Sequence, residues 1–227
     1  MNGGNHRAFV SWSGGKDSCL ALYRALAQGW QVPYLLTMVS REYNRSGAHG
    51  VEAAVMQAQA ECLGLPMVQR LFERDTYEAE FKSAIAQFKH EGVEAVVTGD
   101  LYLDEHRQWI DRVCRETGIG PVRPLWEQPL PGLFQEFVEA GFRAVVVSAD
   151  ATLMGEGWVG RWLDDSFKSD LLASGKVDLM GELGEYHTLV VDGPMFRKRL
   201  DIQETGSVLR DGRWFLDIRR YGLVDKG

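Results

Sequence analysis

The sequence predicts an α/β protein, with a parallel sheet covered by helices on both faces over residues 1–150 and a smaller α+β region over 151–227. Three observations lead there. Short apolar strands alternate with helical patterns as far as Ser148. Several of those strands, such as Val32–Val39 and Phe142–Ser148, are nearly continuous apolar runs, as expected of strands buried on both faces. After Ser148 the pattern turns β-rich, with a two-residue hairpin signal at Asp211-Gly212.

The first unit is a short apolar strand, Phe9-Val10-Ser11, running into Ser13-Gly14-Gly15-Lys16-Asp17-Ser18 and then a helix. Cys19, Leu22, Tyr23 and Leu26 recur at helical spacing. Val32–Val39 is the second strand, followed by a polar loop from Ser40 to Gly50. Val51, Val55, Ala58 and Cys62 mark a helix ending near Gly64, with Pro66 beyond. Met67–Phe72 is the third strand. Asp75 is positioned to cap the next helix, with Glu78 at capping-box spacing and Tyr77, Phe81, Ala84, Ile85 and Phe88 along its apolar face. Ala95–Thr98 is the fourth strand, ending at Gly99-Asp100, and a helix over about 106–116 follows. Prolines punctuate the next connection; a helix carrying Leu133, Phe134, Phe137 and Val138 stops at Gly141, and Phe142–Ser148 is the fifth strand. A further helix carries Leu163, Phe167 and Leu171, Tyr186–Val191 is a strand, and Val208–Arg210 and Arg213–Leu216 flank the hairpin turn.

Composition bounds the function. The chain has 227 residues, 45% hydrophobic and 25% charged, as in globular proteins. A net charge of −7 argues against broad nucleic-acid binding, which needs a basic face. No apolar run approaches the roughly 20 residues of a membrane helix, and Met1–Arg7 does not read as a signal peptide. The three cysteines, Cys19, Cys62 and Cys114, fall in helical patterns without metal-site spacing, which predicts neither a disulfide framework nor a zinc site and points to the cytoplasm. Oligomeric state is left open.

Two stretches carry chemistry. In Ser13–Ser18 the glycines let backbone approach a ligand, the unpaired N–H groups of the helix point back at the loop, and Lys16 adds positive charge. That is a polyphosphate cradle. It differs from the kinase-type phosphate loop and from Gly-x-Gly-x-x-Gly. Gly181-Glu182-Leu183-Gly184-Glu185-Tyr186-His187-Thr188 places two carboxylates ahead of a strand, a cluster able to bind Mg2+, orient an amine or move a proton, or simply to form a polar turn.

Ser-Gly-Gly-x-Asp-Ser resembles the signature of pyrophosphate-loop ATP pyrophosphatases, which split ATP between the α- and β-phosphates. Over nearly its whole length the chain resembles the diphthine–ammonia ligase family of those proteins. The resemblance is carried by Ser13–Ser18 with Leu20-Ala21-Leu22-Tyr23, Thr37-Met38, His49, Arg107, Arg112-Val113-Cys114, Pro124-Leu125-Trp126, Trp158–Arg161, Gly181–Thr188 and Asp192–Phe196. It implies a Rossmann-like fold of the adenine nucleotide alpha hydrolase (HUP) kind, an ATP-binding domain over 1–150 and a substrate-binding domain over 151–227. It implies ATP on Ser13, Gly14, Gly15, Lys16, Asp17 and Ser18, with Mg2+ held through Asp17 and adenine near Met38 and Gly99. Lys16, Asp17, Glu182 and Glu185 are the implied catalytic residues; His49, Arg107, Tyr186, His187 and Thr188 are the implied substrate contacts. The implied reaction activates a carboxylate as an acyl-adenylate and amidates it with free ammonia, since no glutaminase motif is visible. The acceptor is diphthine on elongation factor 2 if the source is archaeal or eukaryotic, and another carboxylate otherwise. Two positions differ from the family pattern: Leu183 replaces glycine and His187 replaces glutamate. The competing readings are a nucleotide sensor without ligase activity and an RNA-modifying pyrophosphate-loop enzyme.

Overall fold

A computed structural model describes residues 6–47 and 49–226; the expectation that Met1–Arg7 is no signal peptide falls largely on residues 1–5, outside the described residues. In chain order the elements are β1 (Ala8–Ser11), α1 (Lys16–Ala27), β2 (Leu35–Ser40), β3 (Arg45–Ser46), α2 (Ala53–Leu63), β4 (Met67–Phe72), α3 (Tyr77–His90) and β5 (Ala95–Val97). They continue with α4 (Asp104–Thr117), β6 (Gly120–Val122), α5 (Leu130–Glu139), β7 (Arg143–Asp150), α6 (Asp165–Ser174), β8 (Tyr186–Asp192), β9 (Lys198–Arg210) and β10 (Arg213–Asp225). The fold is mixed α/β and broadly Rossmann-like. No helix among the described residues is long and apolar enough to cross a membrane.

The chain divides into two compact units that interleave in sequence. One comprises Met1–Ser13, Asp17–Gly47 and Leu65–Glu127; the other comprises Gly14–Lys16, Ala48–Gly64 and Gln128–Gly227. These units do not follow a single boundary along the chain: α2, α5 and β7 group with the C-terminal segment.

The first unit is built on a parallel sheet. β1 pairs with β2 on one side and β5 on the other, β2 with β4, and β5 with β6. Two residues of β3 pair antiparallel with Val39 and Ser40, beyond the point where β1 leaves β2. Phe9, Leu36, Met38 and Val96 share a core with Phe81, Phe88, Ile110 and Val113 from α3 and α4. Ala8, Val10, Leu35 and Val97 are buried as well, so the sheet is covered on both faces. In α1 the buried residues are Cys19, Leu20, Ala21, Leu22 and Ala25, whereas Leu26 is exposed, so the packed face is rotated from the expected stripe. Thr76, not Asp75, is the N-cap of α3, and Glu78 is no capping-box partner. Its carboxylate instead accepts from Arg112, Lys82 and the Trp109 indole, tying α3 to α4.

The second unit is built on an antiparallel sheet in the order β8-β7-β10-β9. β7, read from sequence as a fifth parallel strand, is antiparallel to both its neighbours. The fifth parallel strand is β6, Gly120-Pro121-Val122, at the sheet edge where proline is tolerated. β9 and β10 form a long hairpin through Asp211 (φ 47°) and Gly212 (φ 75°), the left-handed pair a tight hairpin turn requires. α2 packs against β9, and Arg197 N–H donates to Cys62 O at 2.7 Å. Asp164 caps α6 by accepting from Phe167 N–H, and Phe167 packs edge-on against Tyr186.

Candidate active site

In the first unit the site is fixed by topology. Strand order runs outward from β1 to β2 and β4 on one side, and to β5 and β6 on the other, so β1 and β5 flank the switch point where ligands bind beyond strand carboxyl ends. Ser13 Oγ donates to Ser18 Oγ at 3.1 Å beyond β1. Gly99 follows β5 so closely that a Cβ there would lie 2.8 Å from the Asp17 carbonyl carbon and 2.9 Å from Ser18 N. Only glycine allows that approach. On either side of it, Thr98 Oγ1 and Asp100 Oδ2 are buried with no hydrogen-bond partner among the described residues. Orphaned buried polar atoms at a switch point fit a polar ligand such as a nucleotide's hydroxyls or its metal.

Mg2+ on a nucleotide takes one or two carboxylates together with phosphate oxygens, and Asp17 and Asp100 provide that donor chemistry. Among the described residues no group of three or more His, Cys, Asp or Glu is arranged to hold a metal by itself. A separate cavity of about 540 Å3, lined by Ser40, Glu42, Tyr43, Phe72, Glu73 and Arg74, opens at the carboxyl ends of β2 and β4.

In the second unit Gly14–Lys16 is strapped to β8. Lys16 N–H donates to Thr188 Oγ1 at 3.0 Å, and Val190 N–H donates to Gly14 O at 2.9 Å. Gln59 of α2, fully buried, donates from Nε2 to Gly14 O at 2.8 Å and to Val190 O at 2.7 Å. His49 donates from Nδ1 to Thr188 O at 2.9 Å, because a carbonyl can only accept; its neutral form therefore carries the lone pair on Nε2. A Cβ on Gly15 would lie 2.4 Å from His49 Cε1 and 3.0 Å from Thr188 O, so Gly15 is the only residue type that fits. Lys16 is buried, its Nζ 5.0 Å from the Tyr186 ring centroid in cation–π geometry. Tyr186 donates its hydroxyl to Leu179 O at 2.7 Å.

The rest of the second motif is unevenly buried. Glu185 is buried; its Oε1 accepts from Asp178 N–H at 3.1 Å, and Oε2 has no partner among the described residues. Glu182 is half-buried and Leu183 is exposed on the turn. His187 stacks on His49 with centroids 4.6 Å apart. Burial pushes the His49 imidazole down to about 4, helped by the charges of Lys16 and Arg213. Burial, then His49, Arg213 and Lys16, also drive the His187 imidazole well below its ordinary value. Both rings are neutral at neutral pH.

Two models of one protein family match this chain: the diphthamide synthase N-terminal domain over residues 6–121 and the diphthamide synthase C-terminal domain over 131–224. This chain belongs to the diphthamide synthase, or diphthine–ammonia ligase, family. Diphthine–ammonia ligases of Bos taurus and Homo sapiens are 25% and 24% identical to it, each over 91% of this chain and 86% of the relative. The Schizosaccharomyces pombe diphthine–ammonia ligase is 28% identical over 83% of this chain and 34% of its own length. A solved structure described as a predicted subunit of tRNA methyltransferase from Methanocaldococcus jannaschii aligns over 83% of this chain and 98% of that one. Its TM-score is 0.46 and its identity 16%, too distant to argue from.

Within this diphthine–ammonia ligase family member, the residues singled out from sequence separate into four places. Gly14, Gly15, Lys16, His49, Tyr186, His187 and Thr188 come together in the second unit, with Glu185 immediately before β8, its carbonyl accepting from Asp150 N–H at the end of β7. Ser13, Asp17, Ser18 and Gly99 meet at the switch point of the first. Met38 is part of the hydrophobic core under α3 and α4. Arg107 pairs with Asp104 at 2.7 Å and lies 5.4 Å from the Trp126 ring, held by its own surroundings. Sequence reading missed Gln59 and Arg213. Gln59 was visible as an amide four residues after Val55, inside an apolar helical stripe. Arg213 lay in a hairpin noted only for its turn. In the structure its Nε donates to Ser148 Oγ at 3.0 Å.

Proposed function

We propose that the protein is an ATP-dependent, diphthine–ammonia ligase-like amide ligase. The observation that carries this reading is the strapping of Gly14–Lys16 to β8, where the phosphate-loop backbone and the Glu185–Thr188 motif are held by the same hydrogen bonds. Family membership supplies the reaction class, and the relatives' names supply diphthine and ammonia.

In this reading Ser13, Gly14, Gly15, Lys16 and Ser18 bind the phosphates of ATP, with adenine near Gly99; Met38, buried under α3 and α4, remains an adenine contact only by family resemblance. Mg2+, when bound through Asp17, neutralises phosphate charge. A carboxylate oxygen of the acceptor bonds to the α-phosphorus and pyrophosphate leaves, its charge stabilised by Lys16. The ammonia nitrogen then bonds to the acyl carbon, AMP leaves, and the nitrogen gives up a proton. The roles of receiving an ammonium ion and accepting that proton fall in this reading to Glu185, an assignment that its Oε2, partnerless among the described residues, supports, with Glu182 nearby in sequence. Thr188 and Tyr186 position Lys16; Arg107 remains a substrate contact only by family resemblance. The nucleotide-binding part is of the adenine nucleotide alpha hydrolase kind, and the C-terminal part binds the acceptor. The acceptor is diphthine on elongation factor 2 in an archaeal or eukaryotic setting and another carboxylate elsewhere, and the reaction belongs to the cytoplasm.

An RNA thiolase would need a reactive cysteine. Cys19, Cys62 and Cys114 are all buried, and burial raises each thiol, the latter two to about 11. The test is AMP and pyrophosphate formation from ATP, Mg2+ and ammonium, with and without a fractionated cell extract. Extract-dependent AMP that disappears in Lys16→Ala supports the ligase; tight ATP binding with no AMP from any fraction overturns it in favour of a nucleotide sensor.

A further inference from the structure

The basic cluster beside Lys16 has chemistry that the ligase reading does not use. Sheet register sets His187 opposite Ser148, and Ser148 opposite Phe215 of β10. Arg213, two residues before Phe215, therefore lies on the same face as His187 and Ser148. His49 covers that face through its stack on His187, and Gly50 sits against Phe215 so closely that a Cβ would lie 2.5 Å from the ring. Arg213 is anchored by Nε on Ser148, but Asp150, its nearest carboxylate, stands 4.0 Å from Nη1. Nη2 is buried with no partner among the described residues. A guanidinium fixed in place with one nitrogen unsatisfied and its charge only loosely compensated is poised for an oxyanion.

The surroundings decide what kind. Lys16 and Arg213 bring two positive charges to two neutral imidazoles, so an ammonium ion is repelled there. The His49 N–H is already spent on Thr188 O, which leaves one N–H on His187 and the outer guanidinium nitrogens of Arg213, Nη2 of them orphaned, as donors. Two donor groups fit a singly charged carboxylate better than a dianionic phosphate.

We infer that Arg213, with His187 and His49, forms an oxyanion seat that holds the carboxylate of the acceptor. The seat rests on the ligase reading for what the carboxylate is used for, but its existence is measured without turnover. Arg213 acts there as a binding residue, and His49 as the group that locks the seat to the phosphate loop through Thr188.

The experiment follows the side-chain nitrogens of His49 and His187 by NMR in the full-length protein, assigned among the five histidines with His49→Gln and His187→Gln. Sodium acetate and ammonium chloride are the probes, at constant ionic strength. Acetate is expected to shift both rings saturably and ammonium to leave them unmoved. Arg213→Gln is expected to weaken acetate at least about tenfold, as loss of a charged donor does, while Arg213→Lys, which keeps the charge but not the fork, weakens it less. Shifts driven by ammonium, or acetate binding indifferent to Arg213→Gln, overturn the seat. If Arg213→Gln does not fold, the wild-type comparison of the two probes and Arg213→Lys still decide. A final arm adds saturating Mg-ATP: acetate that stays bound identifies the acceptor's place, and acetate displaced by ATP assigns the oxyanion to a phosphate and overturns the acceptor assignment. Acetate bound through Arg213 in a protein that forms no AMP with any extract fraction removes the ligase reading and leaves the seat intact.

Discussion

Gly15 and Gln59 show how much of this molecule is decided by single side chains. Gly15→Ala would drive a methyl group into His49 and the Thr188 carbonyl. AMP formation is expected to fall at least about tenfold, since small displacements of positioning groups have large kinetic effects. Adding His49→Ala should recover part of the loss, because the nearer of the two clashes is then gone; equal activity of single and double variants would refute that explanation. Gln59→Leu removes both donors from Gly14 and Val190 and leaves a buried carbonyl unmet. The expected cost is about 1–3 kcal/mol, read as a lower urea midpoint at unchanged m-value. The glycine-rich turn Ser13–Ser18 between β1 and α1 was legible in the sequence because its residue types and the helical spacing after it are local signals. Gln59 and Arg213 were not, because each depends on which distant backbone it meets, and nothing local to either residue specifies that partner.

At the scale of elements, α3 and α4 are joined by one carboxylate. Glu78 receives Arg112, Lys82 and Trp109 together, and Arg112 above all holds its carboxyl far below the usual range. A depressed folded-state value means the stabilisation is complete above the unfolded pKa of about 4.3 and fades as the pH falls below it. Wild type should therefore melt above Glu78→Gln at pH 7, with the gap narrowing towards pH 3; a gap independent of pH would contradict the ion-pair account. The same helix shows why reading caps from sequence is hard. Asp75 and Glu78 have capping-box spacing, but Glu78 gains more from three donors on α3 and α4 than from one backbone N–H. β7 teaches a similar lesson. A run such as Phe142–Ser148 reports burial on both faces, which central strands of parallel and antiparallel sheets share, so strand direction was invisible. β6 was overlooked because Gly120-Pro121-Val122 has the composition of a turn.

Over the whole molecule, acid should be the destabilising condition. His49 titrates at about 4 in the fold and near 6.5 when unfolded, so the unfolded chain binds the extra proton first as pH falls. The contribution is whole above pH 6.5 and is lost on the way to about pH 4, on the order of 3 kcal/mol, with His187 adding in the same direction. Urea midpoints at pH 7.5 and 5 should differ in the wild type and converge in the His49→Gln, His187→Gln double variant. The alternation of strands and helices made the first sheet legible from sequence, but not the interleaving of the two units, since no local pattern reveals that α2 packs against β9. That pairing has a consequence during synthesis. When α2 leaves the ribosome its partner strand, Lys198–Arg210, has not been made. At roughly 5–20 residues per second its apolar face waits on the order of ten seconds. The nascent chain carries a sticky helix through most of its translation, and a product truncated between the two family domains never gains the strand that covers it.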